Sequence, residues 1–212
     1  MMTKALLIKQ VKLSAHPMSF LFPFFGLMMF IPNYPYSVSF FYVTLGIFFT
    51  YQNMREQRDF YFSALLPVKK KDTVTSGMLF CYAMELFSLI FAIPVAVISF
   101  RINPNGNAAG IDANAAIFGM GCILYALFNA VFFPAFYRNG YKVGTAFIKG
   151  SIAVFFAVAA DVILPHIPGL ASLDGGYSSA QGVMLTAGLI FYLFASVWSL
   201  KRSRTLYEKV DL

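Results

Sequence analysis

The sequence predicts an all-α polytopic membrane protein with six transmembrane helices, from its composition and from the spacing and asymmetry of its charges. Of 212 residues, 59% are hydrophobic and only 12% are charged, whereas about a quarter of the residues in a soluble domain are charged. The charged residues gather in short segments, and the apolar runs between them are long enough to cross a bilayer. Residues 1–212 are therefore predicted to form a single transmembrane domain.

The apolar runs give the predicted limits of each span. Leu13 to Met54 contains no Lys, Arg, Asp or Glu, and about 20 residues suffice for one helix to cross the hydrocarbon. This run therefore holds two spans, separated by a turn that contains Pro32 and Pro35. Residues 164–181 fit either a surface loop or a short re-entrant segment. The six predicted spans are about 17–32, 37–54, 73–100, 114–137, 143–163 and 182–200.

The N-terminal residues 1–16 mix Lys4, Lys9 and Lys12 with aliphatic side chains. This composition suits an interfacial elbow helix whose lysines extend to the lipid headgroups. A signal peptide also begins with lysines, but no small-residue cleavage site follows an apolar region of the right length. The segment is therefore expected to be retained as a lead into the first span.

The distribution of Lys and Arg predicts the orientation of the chain. Placing both termini in the cytoplasm puts 15 of the 16 basic residues on or near the inner side and leaves only Arg101 outside. The net charge of +7 is thereby explained by membrane topology and not by binding of nucleic acid. The sequence predicts a multi-pass plasma-membrane protein with both termini cytoplasmic.

The loop 55–72 is the longest charged interruption between the apolar runs. Asp59 is placed to cap a helix of about two turns, and Pro67 would end that helix because proline cannot continue the hydrogen-bond ladder. A short amphipathic helix between spans two and three is suited to docking a soluble partner. The alternative is a basic loop that only anchors the topology.

Several positions in and after this loop resemble the cytoplasmic loop of ABC-2-type transporter permeases: Glu56, Ser63, Leu66-Pro67-Val68, the basic run 69–71 and Val74. The six-span layout is similar to that of the small PmtD-like permeases of phenol-soluble modulin exporters. Gly77 and Met78 depart from that pattern, which often has a lysine and an aromatic residue after the valine. In this family the loop carries a coupling helix that seats in a groove of the ATPase subunit.

The resemblance implies roles for the residues of the loop. Charged side chains would make polar contacts with a cytoplasmic ABC ATPase, namely Arg55, Glu56, Arg58 and Asp59. Apolar side chains would anchor the helix, namely Phe60, Tyr61, Leu65 and Leu66, with Pro67 at its end. The chain would then be a permease subunit and not an enzyme, because ATP and Mg²⁺ would bind the partner.

The resemblance also implies a second permease copy, as a homodimer or as a heterodimer with a related chain. The expected activity is export of amphipathic or hydrophobic cargo, with peptides favoured over drugs or lipids. The other class left open is a stand-alone small membrane protein, either a secondary transporter or an immunity or scaffold protein. A secondary transporter would be expected to show a repeat around an intramembrane carboxylate, and no convincing repeat is visible.

Three ionisable residues fall inside predicted spans, where each is costly unless paired or solvated. Lys149 is expected to extend to the inner interface, and Asp161 to be satisfied by headgroups or by a donor from a loop. Glu85 is predicted near the bilayer centre, either as an interhelical hydrogen-bond partner or as a polar contact in the substrate path. Asn53 and Asn129 are predicted to form interhelical hydrogen bonds.

Motifs for other chemistry are missing from the sequence. There is no phosphate-binding Gly-x4-Gly-Lys-Ser/Thr loop, and no His-Glu-x-x-His motif or Asp-rich cluster with metal-ligand spacing. Glycines in spans four to six permit close helix contacts, but they form no clean GxxxG face: Gly119, Gly121, Gly182 and Gly188. No cofactor is expected in this chain.

Overall fold

A computed structural model describes residues 2–103, 106–139, 142–176 and 178–210, with side chains from residue 5. The predicted loop positions 104–105 and 140–141 and the side chain of Lys4 lie outside this part. The described residues are mainly helical and include no strand, which confirms the all-α class. The α-helices are α1 (Met2–Lys9), α2 (Pro17–Leu21), α3 (Ser37–Glu56), α4 (Asp59–Leu65), α5 (Lys70–Ile102), α6 (Ala115–Asn139), α7 (Val143–Ile163) and α8 (Ser179–Glu208).

Four helical segments of the described chain are long and apolar enough to cross a membrane: α5, α6, α7 with the turn to His166, and α8. They correspond to predicted spans three to six. Both α5 and α8 extend past their predicted limits, because helix continues into the basic segments at Lys70 and Lys201. The multi-pass membrane class is thereby supported.

The first two predicted spans differ from this simple picture. Residues 5–14 and 17–30 meet at an angle of 107°. They are long and apolar enough to make a fifth span only if the two segments are counted as one. The bend lies where His16 caps α2 through its Nδ1 and Pro17 starts the new helix. The six-span count and the interfacial elbow therefore remain predictions, since the bend fixes only the angle between the two segments.

Residues 17–30 are not the continuous α-helix that the apolar run predicted. Only α2 is α-helical, and Phe22–Phe30 form a 3₁₀ helix that includes Pro23 and Gly26. Proline removes a backbone donor, and glycine lowers helix propensity. A 3₁₀ helix rises about 2.0 Å per residue, so the two pieces together still extend about 25 Å.

Helix α3 has the length of a span, because 20 residues rise about 30 Å. It is not among the segments that are apolar enough to be counted as spans, and its buried side includes Ser37, Ser39, Thr44 and Thr50. Some of these hydroxyls bond inside the bundle. The Thr50 hydroxyl, for example, bonds the Ser19 hydroxyl of α2 at 2.5 Å, and Ser19 also donates to the Gly46 carbonyl oxygen at 2.6 Å.

Helix α6 lies at the centre of the bundle. It packs most extensively against α8 and next against α7, with further contacts to α3 and α5. Six aromatic side chains of α6 are fully buried: Tyr125, Phe128, Phe132, Phe133, Phe136 and Tyr137. Because neighbours cover this helix on several sides, its surroundings are set by protein and not by lipid.

Two glycines on different helices make the close contact between α6 and α8. A Cβ atom added to Gly119 would lie 2.5 Å from the Met184 carbonyl oxygen, and one added to Gly188 would overlap the Gly119 carbonyl. The lack of a GxxxG face in the sequence therefore did not exclude a close helix contact through glycines. The small residues sit on facing helices, where they let the two backbones approach.

The end of the bundle opposite α4 is closed by polar contacts between loops and helix ends. Asp161 on α7 accepts hydrogen bonds from the Ser37 hydroxyl (2.6 Å) and from the Ile111 amide (3.3 Å). A loop donor thus satisfies this carboxylate, as one predicted alternative required. Asn114 caps α6 by accepting from the Ala116 amide at 2.8 Å. Residues 164–176 form a loop with two 3₁₀ turns.

Gly188→Ala is expected to destabilise the protein by about 1–3 kcal/mol, because the new methyl group forces two helix backbones apart. Gly182→Ala is the matched control on the same helix, since nothing lies within 4 Å of its added Cβ. Thermal unfolding of both variants in detergent measures the difference. Equal midpoints for the two variants would contradict the close α6–α8 contact.

Candidate functional site

A polar cluster lies inside the bundle where α5, α6 and α8 meet. Glu85 is 0% exposed, and its Oε2 accepts hydrogen bonds from Asn129 Nδ2 at 3.0 Å and from the Tyr192 hydroxyl at 2.9 Å. Each partner comes from a different helix. The interhelical hydrogen bond predicted for Asn129 is therefore confirmed. The contacts of Glu85 are those of the first of its two predicted roles, an interhelical hydrogen-bond partner.

Further hydroxyl groups extend this cluster along the same helices. Ser199 donates to the Asn129 carbonyl oxygen at 2.5 Å, and the Tyr82 hydroxyl donates to the Ser196 carbonyl oxygen at 2.9 Å. Glu85 Oε1 and Asn129 Oδ1 are buried and have no hydrogen-bond partner among the described residues. Among the described residues, the cluster thus has more hydrogen-bond acceptors than donors.

The loop 55–72 forms the predicted short helix at the end of the bundle where α6 and α8 finish. Helix α4 begins at Asp59 and ends at Leu65, and Leu66 is extended, as the following Pro67 requires. Its N-cap is Arg58, in the left-handed region at φ 51°, and no side chain caps it. Asp59 is thus the first helical residue and not the cap, which corrects the predicted capping role, and its carboxylate has another partner.

That partner is Lys9 of α1. The Lys9 ammonium lies 2.6 Å from Asp59 Oδ1, donates to the Ser63 hydroxyl at 2.6 Å, and stands 5.6 Å from the centre of the Phe62 ring. Lys9 was predicted to extend to the headgroups, which is wrong for this lysine. It joins α1 to α4 through a largely buried ion pair.

Aromatic contacts hold the other side of α4 to the bundle. Phe60 is buried, and its ring packs against Phe136 and Tyr137 of α6 and against Tyr207 of α8, with centroid distances of 5.3 to 6.3 Å. Two of the nine residues predicted to face an ATPase, Asp59 and Phe60, are therefore turned toward this chain's own helices.

The remaining predicted residues lie on the outside of the loop. Leu65 is 86% exposed, and Tyr61 and Phe62 are 45% and 49% exposed. Leu66 is half-buried, and four further predicted residues are exposed: Arg55, Glu56, Arg58 and Pro67. Sequence reasoning missed Phe62, although it lies next to Tyr61 in the same apolar stretch. The outer face of α4 thus presents a small apolar surface beside exposed charges.

The end of the loop is fastened to the C-terminal turn of α8. Lys70 donates to the Val210 carbonyl oxygen at 2.7 Å, and Lys71 forms an ion pair with Glu208 at 2.9 Å. Arg204 donates to the Thr75 hydroxyl at 3.0 Å. Two of the three lysines in the basic run 69–71 therefore bond to the end of α8 or to the residues just after it.

A bundle of membrane-length helices with a short helix fastened across one end is an arrangement suited to a membrane transport subunit. A family model described as ABC-2 family transporter protein matches residues 5–203, so the chain belongs to the ABC-2 transporter family. Permeases of this family are membrane transport components that work with an ATPase partner. The searches of curated proteins and of solved structures gave no match.

Glu85→Leu is expected to destabilise the protein by about 1–3 kcal/mol, because it leaves the buried Asn129 and Tyr192 donors without an acceptor. Glu85→Gln is the matched variant, because its carbonyl oxygen keeps an acceptor for the Asn129 and Tyr192 donors. Thermal unfolding in detergent compares the two. If Glu85→Gln unfolds as early as Glu85→Leu, the hydrogen-bond interpretation of this cluster is wrong.

Lys9→Met is expected to cost about 3 kcal/mol, because it leaves the buried Asp59 carboxylate without its cation. Lys12→Met removes an exposed lysine of the same segment and should have little effect. A double variant, Lys9→Met with Asp59→Leu, should recover most of the loss. Proteolysis of the 55–72 loop and thermal unfolding report both effects, and similar results for Lys9→Met and Lys12→Met would refute the pairing.

Proposed function

We propose that this chain is the permease subunit of an ABC exporter and that α4 is the coupling helix on which a separate cytoplasmic ATPase docks. The observation that carries the proposal is the two-sided character of α4. Its inner side is fixed by Lys9 and by the aromatic group around Phe60, whereas Tyr61, Phe62 and Leu65 face outward. A leucine that is 86% exposed beside two aromatic side chains suits a surface that a partner covers.

The contacts of α4 also provide a path for mechanical coupling. A push on its outer face acts on α1 through the Lys9–Asp59 pair and on α6 and α8 through Phe60. The loop after α4 acts on α5 and α8 through Lys70 and Lys71. Closure of two ATPase subunits would thus reach these helices and tilt them between inward-closed and outward-open arrangements. ATP and Mg²⁺ would bind the ATPase.

The proposal includes six spans, with the 17–30 segment and α3 as the first two, and both termini in the cytoplasm. One such subunit supplies half of a translocation path, so a second copy or a related permease completes it. The cargo proposed is an amphipathic or hydrophobic peptide, before a drug or a lipid. The resemblance to peptide exporters supports this choice, as does a bundle interior rich in aromatic side chains.

Leu65→Asp is the variant that tests docking, because Leu65 is the most exposed apolar side chain of the loop and its change disturbs no internal packing. The full-length chain, purified in mild detergent from its native host, is expected to bring down a cytoplasmic ATPase. The Leu65→Asp chain should bring down about tenfold less ATPase or lower still, because a hot-spot residue contributes about 1.4 kcal/mol or more to binding.

Leu170→Asp is the matched control, since Leu170 is also exposed but lies in the loop at the other end of the bundle. It should retain the ATPase at the wild-type level. Equal recovery by all three chains would refute docking through α4. Recovery of no ATPase by wild type would favour the stand-alone membrane protein.

A further inference from the structure

A strongly basic cavity opens between α6, α7 and α8, away from the outer face of α4. Its volume is about 830 Å³, and five cationic side chains line it: Arg138, Lys142, Lys149, Arg202 and Lys209. None of the described residues that line it is acidic. The described lining of the cavity therefore carries only positive charge.

The five cations are not neutralised within the described part of the chain. The ion pairs found there, Lys9–Asp59 and Lys71–Glu208, involve none of them. The sequence from Arg138 to Lys149 contains no Asp or Glu. All five side chains are exposed and repel one another around the cavity, so an anion of more than one charge would relieve this repulsion best.

The depth of the cavity indicates where that anion comes from. Lys149 lies six residues into α7, which is about 9 Å along the helix axis. Arg138 is in the last turn of α6, at the end of the bundle that carries α4. If α6, α7 and α8 cross the membrane, a cavity that starts at their ends and continues for this depth lies at the level of the lipid headgroups.

An apolar surface continues from the cavity along the same face of α7. Ile152 and Phe156 follow Lys149 by three and seven residues, so they lie above it on the helix. Both are more than half exposed, and they help to line a shallow apolar cavity of about 330 Å³. Basic side chains below and exposed apolar side chains above match the headgroup and the acyl chains of a lipid.

We propose that this cavity binds the phosphate headgroup of an anionic phospholipid, with an acyl chain lying along Ile152 and Phe156. Five cations favour a headgroup with two phosphates over one with a single phosphate. Basic cavities of this kind between membrane helices are suited to such headgroups. The site is separate from the exposed face of α4 and does not depend on ATPase docking.

The test compares lipid affinity of the full-length chain in detergent by native mass spectrometry, with cardiolipin, phosphatidylglycerol and phosphatidylcholine as probes. Wild type is expected to prefer cardiolipin, then phosphatidylglycerol. The double variant Lys142→Gln with Lys149→Gln should bind cardiolipin about 10- to 30-fold more weakly, since each basic residue contributes at about the level of one interfacial charge.

The matched control is Lys12→Gln with Lys201→Gln, which removes two exposed lysines that do not line the cavity. It should change cardiolipin affinity less than twofold. Equal losses in the two double variants would overturn the proposal and leave only a diffuse surface charge. Inorganic phosphate binding as tightly as cardiolipin would also overturn the proposal. So would a Lys142→Gln, Lys149→Gln chain that loses a co-purifying ATPase but binds cardiolipin as wild type does.

Discussion

The packing of α6 against α8 is the contact on which the rest of the bundle depends. These helices run parallel, since Gly119 meets Gly188, Asn129 bonds Ser199 about ten residues later, and Tyr137 packs on Tyr207 at the end. The spacing along both helices is matched, so one seam extends for most of a membrane thickness. Without a hydrophobic driving force between helices in lipid, such a seam relies on close backbone approach and on hydrogen bonds.

Both candidate sites are attached to this seam. Glu85 adds α5 to its middle through Asn129 and Tyr192, and Phe60 adds α4 to its end through Tyr137 and Tyr207. The Glu85 contacts are polar and buried, so separating α5 from the seam would leave unpaired groups at high cost. The α4 contacts include an ion pair and lie at the edge. Both attachments are therefore costly to break, and they hold α4 and α5 to the same seam.

Sequence patterns predicted the parts of this fold that local chemistry controls. The limits of α7, and the start and end of α4, follow from where charges and prolines interrupt apolar runs. The 3₁₀ conformation around Pro23 was not foreseen, because composition alone shows apolarity and not helix type. Contacts between distant segments were hidden for a different reason. The Gly119–Gly188 approach and the Lys9–Asp59 pair leave no periodic signal, since each member is unremarkable within its own segment.

The last turn of α8 supports two surfaces of different chemistry. Tyr207 packs on Phe60 beneath the apolar face of α4, and two residues later Lys209 lines the basic cavity. Between them, Glu208 pairs with Lys71 at the start of α5. A shift of this turn therefore alters the support of α4 and the geometry of the cavity together. The basic residues at this end of the chain thus hold α5 to α8 on one side and line the basic cavity on the other.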